Sequence, residues 1–119
     1  MPSTNIEILI RFDIKPENLA AFRAKIAELT SAISAEEPRT SSYAFFLDET
    51  NTTSVLSERY PDSDAFLAHI ARTGPHLPGL LALATPARVY VLGSVSPEAR
   101  EVLVGFGAKF LAPVASLSR

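Results

Sequence analysis

The fold is decided by residues 57–69, which read SERYPDSDAFLAH and join the end of a strand to the start of a helix. Residues 53–60 are predicted as a strand because polar turn residues precede them and Pro61 follows them. The acidic residues after Pro61 favour the first turn of a helix. The apolar stripe of that helix comprises Phe66, Leu67 and Ile70, with His69 beside it. A polar connection thus links a strand directly to an amphipathic helix.

A strand and a longer helix precede this stretch. From Ile6 to Ile14 apolar and polar residues alternate, as they do in a half-buried strand. Pro16 suits the first position of a helix, and Pro38 ends it. The buried stripe predicted for this helix has spacings of three and four: Leu19, Phe22, Ile26, Leu29 and Ile33.

The remaining elements complete a known order. Residues 40–48 are predicted as a strand that forms an antiparallel hairpin with residues 53–60. After a break at Gly74-Pro75, residues 77–84 are expected to form a short helical turn closed by Pro86, and residues 87–95 a fourth strand. Strand, helix, strand, strand, helix, strand is the order of a ferredoxin-like α+β fold, a four-stranded antiparallel sheet with helices on one face. We therefore expect one such domain over residues 1–95.

Residues 96–119 are expected to form a C-terminal helical extension. Ser96-Pro97-Glu98 is a helix start signal. The apolar residues expected along this helix are Val102, Leu103, Phe106 and Phe110. The extension could plug a pocket, cover it or brace a dimer, and we favour the last because its aromatic stripe is too apolar for solvent.

Composition excludes several classes of function. The chain has 119 residues, a net charge of −2 and no cysteine. The weak negative charge argues against nucleic-acid binding. No apolar run is long enough to span a membrane, and the first residues lack the pattern of a signal peptide, so we expect a cytoplasmic protein. No phosphate loop and no clustered ligand set appears, so neither a metal nor another cofactor is expected.

The same residues 57–69 carry a family resemblance. A Glu-x-Tyr at the end of the third strand, an acid-Ala-Phe and a His on the next helix resemble the signature of the antibiotic biosynthesis monooxygenase family. The matching residues are Glu58, Tyr60, Asp64, Ala65, Phe66 and His69. His76, in Gly74-Pro75-His76, resembles a second and less regular family histidine. The order of elements agrees over roughly residues 6–92.

The resemblance implies a homodimeric α+β barrel with a pocket between the sheet and its helices. Some relatives oxygenate phenols, quinols or anthrones without metal or flavin, which implies a small aromatic or quinol-type ligand. His69 or His76 would be the base, since imidazole titrates near neutral pH, and Tyr60 or Tyr43 would hold the oxyanion. Glu58, Phe66, Tyr43 and Phe46 would contact the substrate.

Structural roles compete with each of these assignments. Glu58 could pair with Arg11 or Arg59, and His69 could be a packed, hydrogen-bonded helix residue. The second hypothesis is accordingly a non-catalytic dimeric module that binds a small apolar ligand or a partner. An open polar pocket near His69 would favour the enzyme, whereas a pocket filled by side chains would favour the module.

Overall fold

A computed structural model describes residues 4–117 and 119 of the chain. The strands are β1 (Ile6–Ile14), β2 (Ser42–Leu47), β3 (Thr53–Tyr60), β4 (Ala84–Leu92) and β5 (Lys109–Leu111). The α-helices are α1 (Leu19–Glu36), α2 (Ser63–Thr73), α3 (Leu77–Leu81) and α4 (Pro97–Gly105). Short 3-10 turns precede α1 at Pro16–Asn18 and follow α2 at Gly74–His76. The predicted α+β, ferredoxin-like order is confirmed.

The sheet has the order β2-β3-β1-β4-β5, and its first four strands are antiparallel neighbours. One face is buried by the helices. Every second residue of β1 faces this inner side, and Ile6, Ile8, Phe12 and Ile14 are buried there, as the alternation predicts. Phe22, Leu29 and Ile33 of α1 meet this face, because the predicted stripe brings them to one side of the helix.

Helix α2 begins where the sequence signal places it. Asp62 is its N-cap and accepts a hydrogen bond from the backbone N–H of Ala65 at 2.8 Å. The Arg39 guanidinium donates to the same carboxylate at 2.6 Å. The Ala65 N–H and the nearby Arg39 charge hold the pKa of Asp62 below its usual range. This anchoring fixes the face of α2 that turns toward the sheet, which carries Phe66 and His69.

The C-terminal segment corrects the predicted extension, because only its first part is helical. Helix α4 ends at Gly105, and Gly107 has the left-handed φ of +77° that turns the chain. The chain then runs parallel to β4 as β5, so the sheet has five strands rather than four and Phe110 lies on a strand. Ala99 and Leu103 of α4 are buried in the same core cluster as Ile6.

The prediction for the start of β4 was also wrong. The strand begins at Ala84 and contains Pro86, which was expected to close a helical turn. Pro86 pairs with Phe12 where the register between β1 and β4 shifts, and a strand tolerates proline at such an irregularity. No helix among the described residues is long and apolar enough to cross a membrane.

Candidate functional site

A cavity lies between the inner face of the sheet and the helices. It encloses about 80 Å³, and its wall is mostly aliphatic and aromatic. The polar side chains in its lining are Tyr43, Glu58, His69 and Thr73. Pro86, Leu81 and Phe106 also line it; all three are exposed and therefore mark its mouth. An apolar cavity known to bind benzene has a volume of about 150 Å³, roughly twice that of this one, so we expect an aromatic ligand to move side chains at this mouth.

His69 lies at the polar end of the cavity, between two glutamates. Its Nδ1 is 2.7 Å from Oε1 of Glu37, and its Nε2 is 3.5 Å from Oε1 of Glu58. The first distance is a short hydrogen bond, whereas the second is within ion-pair reach but longer than a normal hydrogen bond. All three side chains are at most 7% exposed. The imidazole is thus held between two buried carboxyl groups.

Glu58 also accepts a hydrogen bond from the Tyr60 hydroxyl. Burial raises the pKa of the Glu58 carboxyl, while the charge of His69 and the Tyr60 hydrogen bond oppose that rise, and the Glu37 charge adds to it. The alternative role of Glu58, an ion pair with Arg11 or Arg59, is not observed, because Arg11 pairs with Asp13 and Arg59 pairs with Glu7. Glu58 therefore faces the cavity as a carboxyl group with a raised proton affinity.

Two tyrosines lie beside the cluster formed by His69, Glu37 and Glu58, but they occupy different positions. Tyr43 lines the cavity, and its ring lies 5.4 Å from the His69 ring. Tyr60 is 1% exposed and lies behind Glu58, outside the cavity lining. Burial raises the pKa of both phenols, and the Glu58 charge acts in the same direction, so both hydroxyls stay protonated at neutral pH. Of the two phenols, Tyr43 is therefore the one that a ligand in the cavity would contact.

The structure does not bring His76 and Phe46 to this site. His76 lies on the 3-10 turn after α2, 3.3 Å from Nζ of Lys25 on α1, and does not line the cavity. Successive side chains of a strand point to opposite faces of the sheet. In β2, Tyr43 and Phe45 pack against the core. Phe46 therefore points to the outer face, where it is 61% exposed. Phe66, by contrast, is buried and forms part of the cavity wall.

Glu37 is the site residue that the sequence analysis missed. It caps the C-terminal end of α1 and lies 32 positions from His69 in the sequence, so no short motif connects the two. A weak signal existed, because a carboxylate at the negative end of a helix dipole is not favoured by the helix itself. Among the described residues no group of three His, Cys, Asp or Glu is arranged to hold a metal ion.

Solved structures share this fold. MupZ from Pseudomonas fluorescens superposes with a TM-score of 0.85 at 24% identity, covering 98% of this chain and 91% of MupZ. SnoaB, a cofactor-independent oxygenase from Streptomyces nogalater, superposes with a TM-score of 0.64 at 23% identity, covering 79% of this chain and 96% of SnoaB. Rv0793 from Mycobacterium tuberculosis superposes with a TM-score of 0.66 at 23% identity, covering 77% of this chain and 96% of Rv0793. The match to MupZ therefore includes the C-terminal segment.

No curated protein sequence matches this chain. The model of the antibiotic biosynthesis monooxygenase family, however, matches residues 5–74, which is more than half of the chain. The matched region runs from β1 to the end of α2 and contains Glu37, Glu58, Tyr60 and His69. On this match, the chain belongs to the antibiotic biosynthesis monooxygenase family.

Proposed function

We propose that the protein is a cofactor-independent monooxygenase that acts on a small, uncharged phenolic or quinol-type compound. The observation that carries the proposal is the buried imidazole of His69, which faces an apolar cavity and is flanked by two carboxyl groups. Burying ionisable groups of this kind costs several kcal/mol for each one that is charged, unless it is well paired. A site of this cost is more readily explained by proton transfer than by packing.

His69 is assigned the role of base. Its Nδ1 is engaged with Glu37, and its Nε2 is directed toward Glu58 and Thr73 in the cavity lining. A hydroxyl group of a ligand in the cavity would thus meet Nε2, and proton abstraction by a placed base contributes about 10²–10⁴-fold in rate. The Tyr43 hydroxyl, kept protonated by burial, would donate to the oxygen that becomes negative.

After proton transfer, the substrate anion itself reacts with O₂. A phenolate or quinolate anion is electron-rich enough to reduce O₂ by one electron, and recombination of the two radicals forms a carbon–oxygen bond. The product of this recombination is a peroxide, which takes back the proton from the His69 imidazolium. Loss of the hydrogen on the same carbon then breaks the O–O bond, so that one oxygen atom stays in the product as a carbonyl and the other leaves as water, with the electron pair supplied by the C–H bond of the substrate. The protein needs to supply only the base, the oxyanion donor and a cavity that excludes water. The cofactor-independent oxygenase SnoaB, which has the same fold, supports this assignment.

We further propose that two copies pair through the outer face of the sheet. This face carries Leu9 opposite Tyr90 and Phe46 opposite Val55. Phe46 and Val55 are 61% and 37% exposed in the single chain, and monomers rarely leave contiguous apolar patches of more than a few hundred Å² uncovered. Changing Phe46 to Lys should convert a dimer into a monomer in native mass spectrometry. If Phe46→Lys is still a dimer, the interface does not lie on this face of the sheet.

The function is tested by oxygen consumption with a panel of hydroquinones, naphthols and anthrones. The two histidines provide a matched pair, His69→Gln and His76→Gln, each of which removes one imidazole. We expect His69→Gln to lose about 10²-fold or more of the rate, and His76→Gln to keep it. Equal rates in His69→Gln and the unchanged protein would remove His69 as the base.

Ligand binding separates the enzyme from the binding module. Native mass spectrometry and an absorption scan of the purified protein would show any small aromatic molecule that is bound. A bound aromatic compound that is never consumed with O₂ would support the non-catalytic alternative. Consumption of O₂ that depends on His69 would support the enzyme.

A further inference from the structure

Glu37 has no local reason to be where it is. It lies at the C-terminal end of α1, where the helix dipole disfavours a negative charge. Its backbone does not require a glutamate either, since the N–H of residue 37 simply donates to the Ile33 carbonyl. The side chain is nevertheless turned inward and is only 7% exposed. The explanation for this residue must therefore lie in what its carboxylate touches.

Among the described residues, the side chains of Thr40 and His69 engage the Glu37 carboxylate, and both meet the same oxygen atom. The Thr40 hydroxyl donates to Oε1 at 2.9 Å, and Nδ1 of His69 lies 2.7 Å from it. An ionised carboxylate can only accept, so the proton between Glu37 and His69 belongs on Nδ1. The Thr40 hydrogen bond thus holds in place the same carboxylate oxygen that meets the ring.

This arrangement determines which imidazole nitrogen is free. A neutral imidazole carries one proton, and the hydrogen bond at one nitrogen sets the tautomer. With the proton on Nδ1, the lone pair is on Nε2, which is 3.5 Å from Glu58 and 3.4 Å from the Thr73 hydroxyl. Thr73 has its own acceptor, the His69 carbonyl at 2.9 Å, so its proton does not occupy Nε2.

We propose that Glu37 is a positioning residue that keeps the proton of His69 on Nδ1 and so leaves Nε2 free to accept a proton from the ligand. The inference rests on the proposed role of His69 as base, and it adds how that base is oriented. The proton moves from the ligand oxygen to Nε2, which gives an anion in the cavity and an imidazolium whose Nδ1–H stays on the Glu37 carboxylate. Glu37 itself is not among the residues that line the cavity.

The tautomer can be measured directly by NMR of protein labelled with ¹⁵N-histidine. The two ring nitrogens of a neutral imidazole have well separated ¹⁵N shifts, and the variant His76→Gln assigns the signals of His69. We expect the Nδ1 of His69 to show the protonated shift and its Nε2 the unprotonated shift. In Glu37→Gln this preference should weaken or reverse. The control is Glu36→Gln, an adjacent glutamate that is exposed and does not touch His69.

Three results would overturn the proposal. The first is a wild-type His69 that carries its proton on Nε2. The second is an imidazolium that persists over the whole pH range in which the protein is folded, since Nε2 would then be no base. The third is an identical tautomer in Glu37→Gln and Glu36→Gln. If Glu37→Gln does not fold, the wild-type measurement alone decides.

This experiment is independent of turnover. If no compound is consumed but the tautomer is as expected, the proposed oxygenase reaction fails while the positioning role of Glu37 stands. If turnover depends on His69 but the tautomer is the opposite one, the reaction stands and the role of Glu37 is lost. The two proposals can therefore fail separately.

Discussion

Replacing His69 by Ala should destabilise the protein strongly at neutral pH and much less in acid. The substitution leaves two buried carboxyl groups, Glu37 and Glu58, without the imidazole that lies between them. A buried acceptor that loses its hydrogen-bond partner costs about 1–3 kcal/mol, and more when it is charged, so we expect a loss of about 3 kcal/mol. With the slope of about 1–3 kcal/mol per molar urea that is typical of small proteins, a loss of about 3 kcal/mol lowers the urea midpoint by roughly 1–3 M.

The pH dependence follows from the sign of the pKa shift of Glu58. Burial raises the pKa of this carboxyl in the folded protein, and His69 opposes the rise, so removal of His69 raises it further. A carboxyl group with a raised folded-state pKa stabilises the fold when protonated, and this contribution is lost as the pH rises through that pKa. The cost of His69→Ala should therefore be smallest at about pH 4, near the ordinary pKa of a glutamate, and largest at neutral pH.

The assay is urea unfolding followed by circular dichroism at several pH values, at one fixed protein concentration because a dimer gains stability with concentration. Ile70→Ala is the control, since it removes a half-buried apolar side chain from the same helix at a cost of roughly 2 kcal/mol. That cost involves no titratable group and should not change with pH. If His69→Ala costs the same in acid as at neutral pH, the charge argument is refuted and His69 is only a packing residue.

Three further substitutions test other parts of the structure. Tyr60→Phe leaves a buried oxygen of Glu58 without its donor, so a loss of about 1–3 kcal/mol is expected in urea unfolding. Phe106→Ala removes a ring that is 42% exposed at the mouth of the cavity; it should speed ligand association in stopped-flow measurements and change stability by less than about 1 kcal/mol. Gly93→Ala should lower the thermal midpoint by an amount equivalent to more than about 1 kcal/mol, because residue 93 has a φ of +110° and an added Cβ would lie 2.6 Å from the Asn5 carbonyl oxygen. A wild-type melting curve for Gly93→Ala would contradict the backbone argument.

Most of the fold was predictable because its elements have strong local signals. The limits of β3, Thr53–Tyr60, were predicted correctly, since a polar turn and a proline bound the strand. The errors fell where tertiary contacts override local preference. Pro86 was expected to break an element, but it fits inside β4 at an irregularity in the pairing with β1. Phe110 has helical spacing from Phe106, yet Gly107 turns the chain between them and the strand β5 forms.

The candidate site was only partly predictable, for a similar reason. Glu58, Tyr60 and His69 lie in one continuous motif, and the structure brings them together. Glu37 lies at the C-terminal end of α1, whereas His69 is on α2, so only the three-dimensional fold brings them together. His76 was a candidate because Gly74-Pro75-His76 resembles a second family histidine, but the turn after α2 carries its ring to α1. For Glu37 and His76, but not for Glu58 and Tyr60, the distance from His69 along the chain was a poor measure of the distance in space.

The charges around the cavity limit what it can bind. The described side chains that line it include two ionisable groups of the cluster, Glu58 and His69, and no lysine or arginine. With Glu37 behind the imidazole, two carboxyl groups share one potential cation, so the cluster is neutral or negative whenever Glu37 is ionised. An anionic ligand would have to enter an apolar cavity without a counter-ion, which is strongly unfavourable. A neutral hydroxyl compound avoids this cost, because it becomes an anion only when His69 takes its proton and becomes the counter-ion. The lack of a counter-ion among the described lining residues therefore disfavours entry of an acid, whereas proton transfer to His69 creates a counter-ion once a neutral ligand is bound.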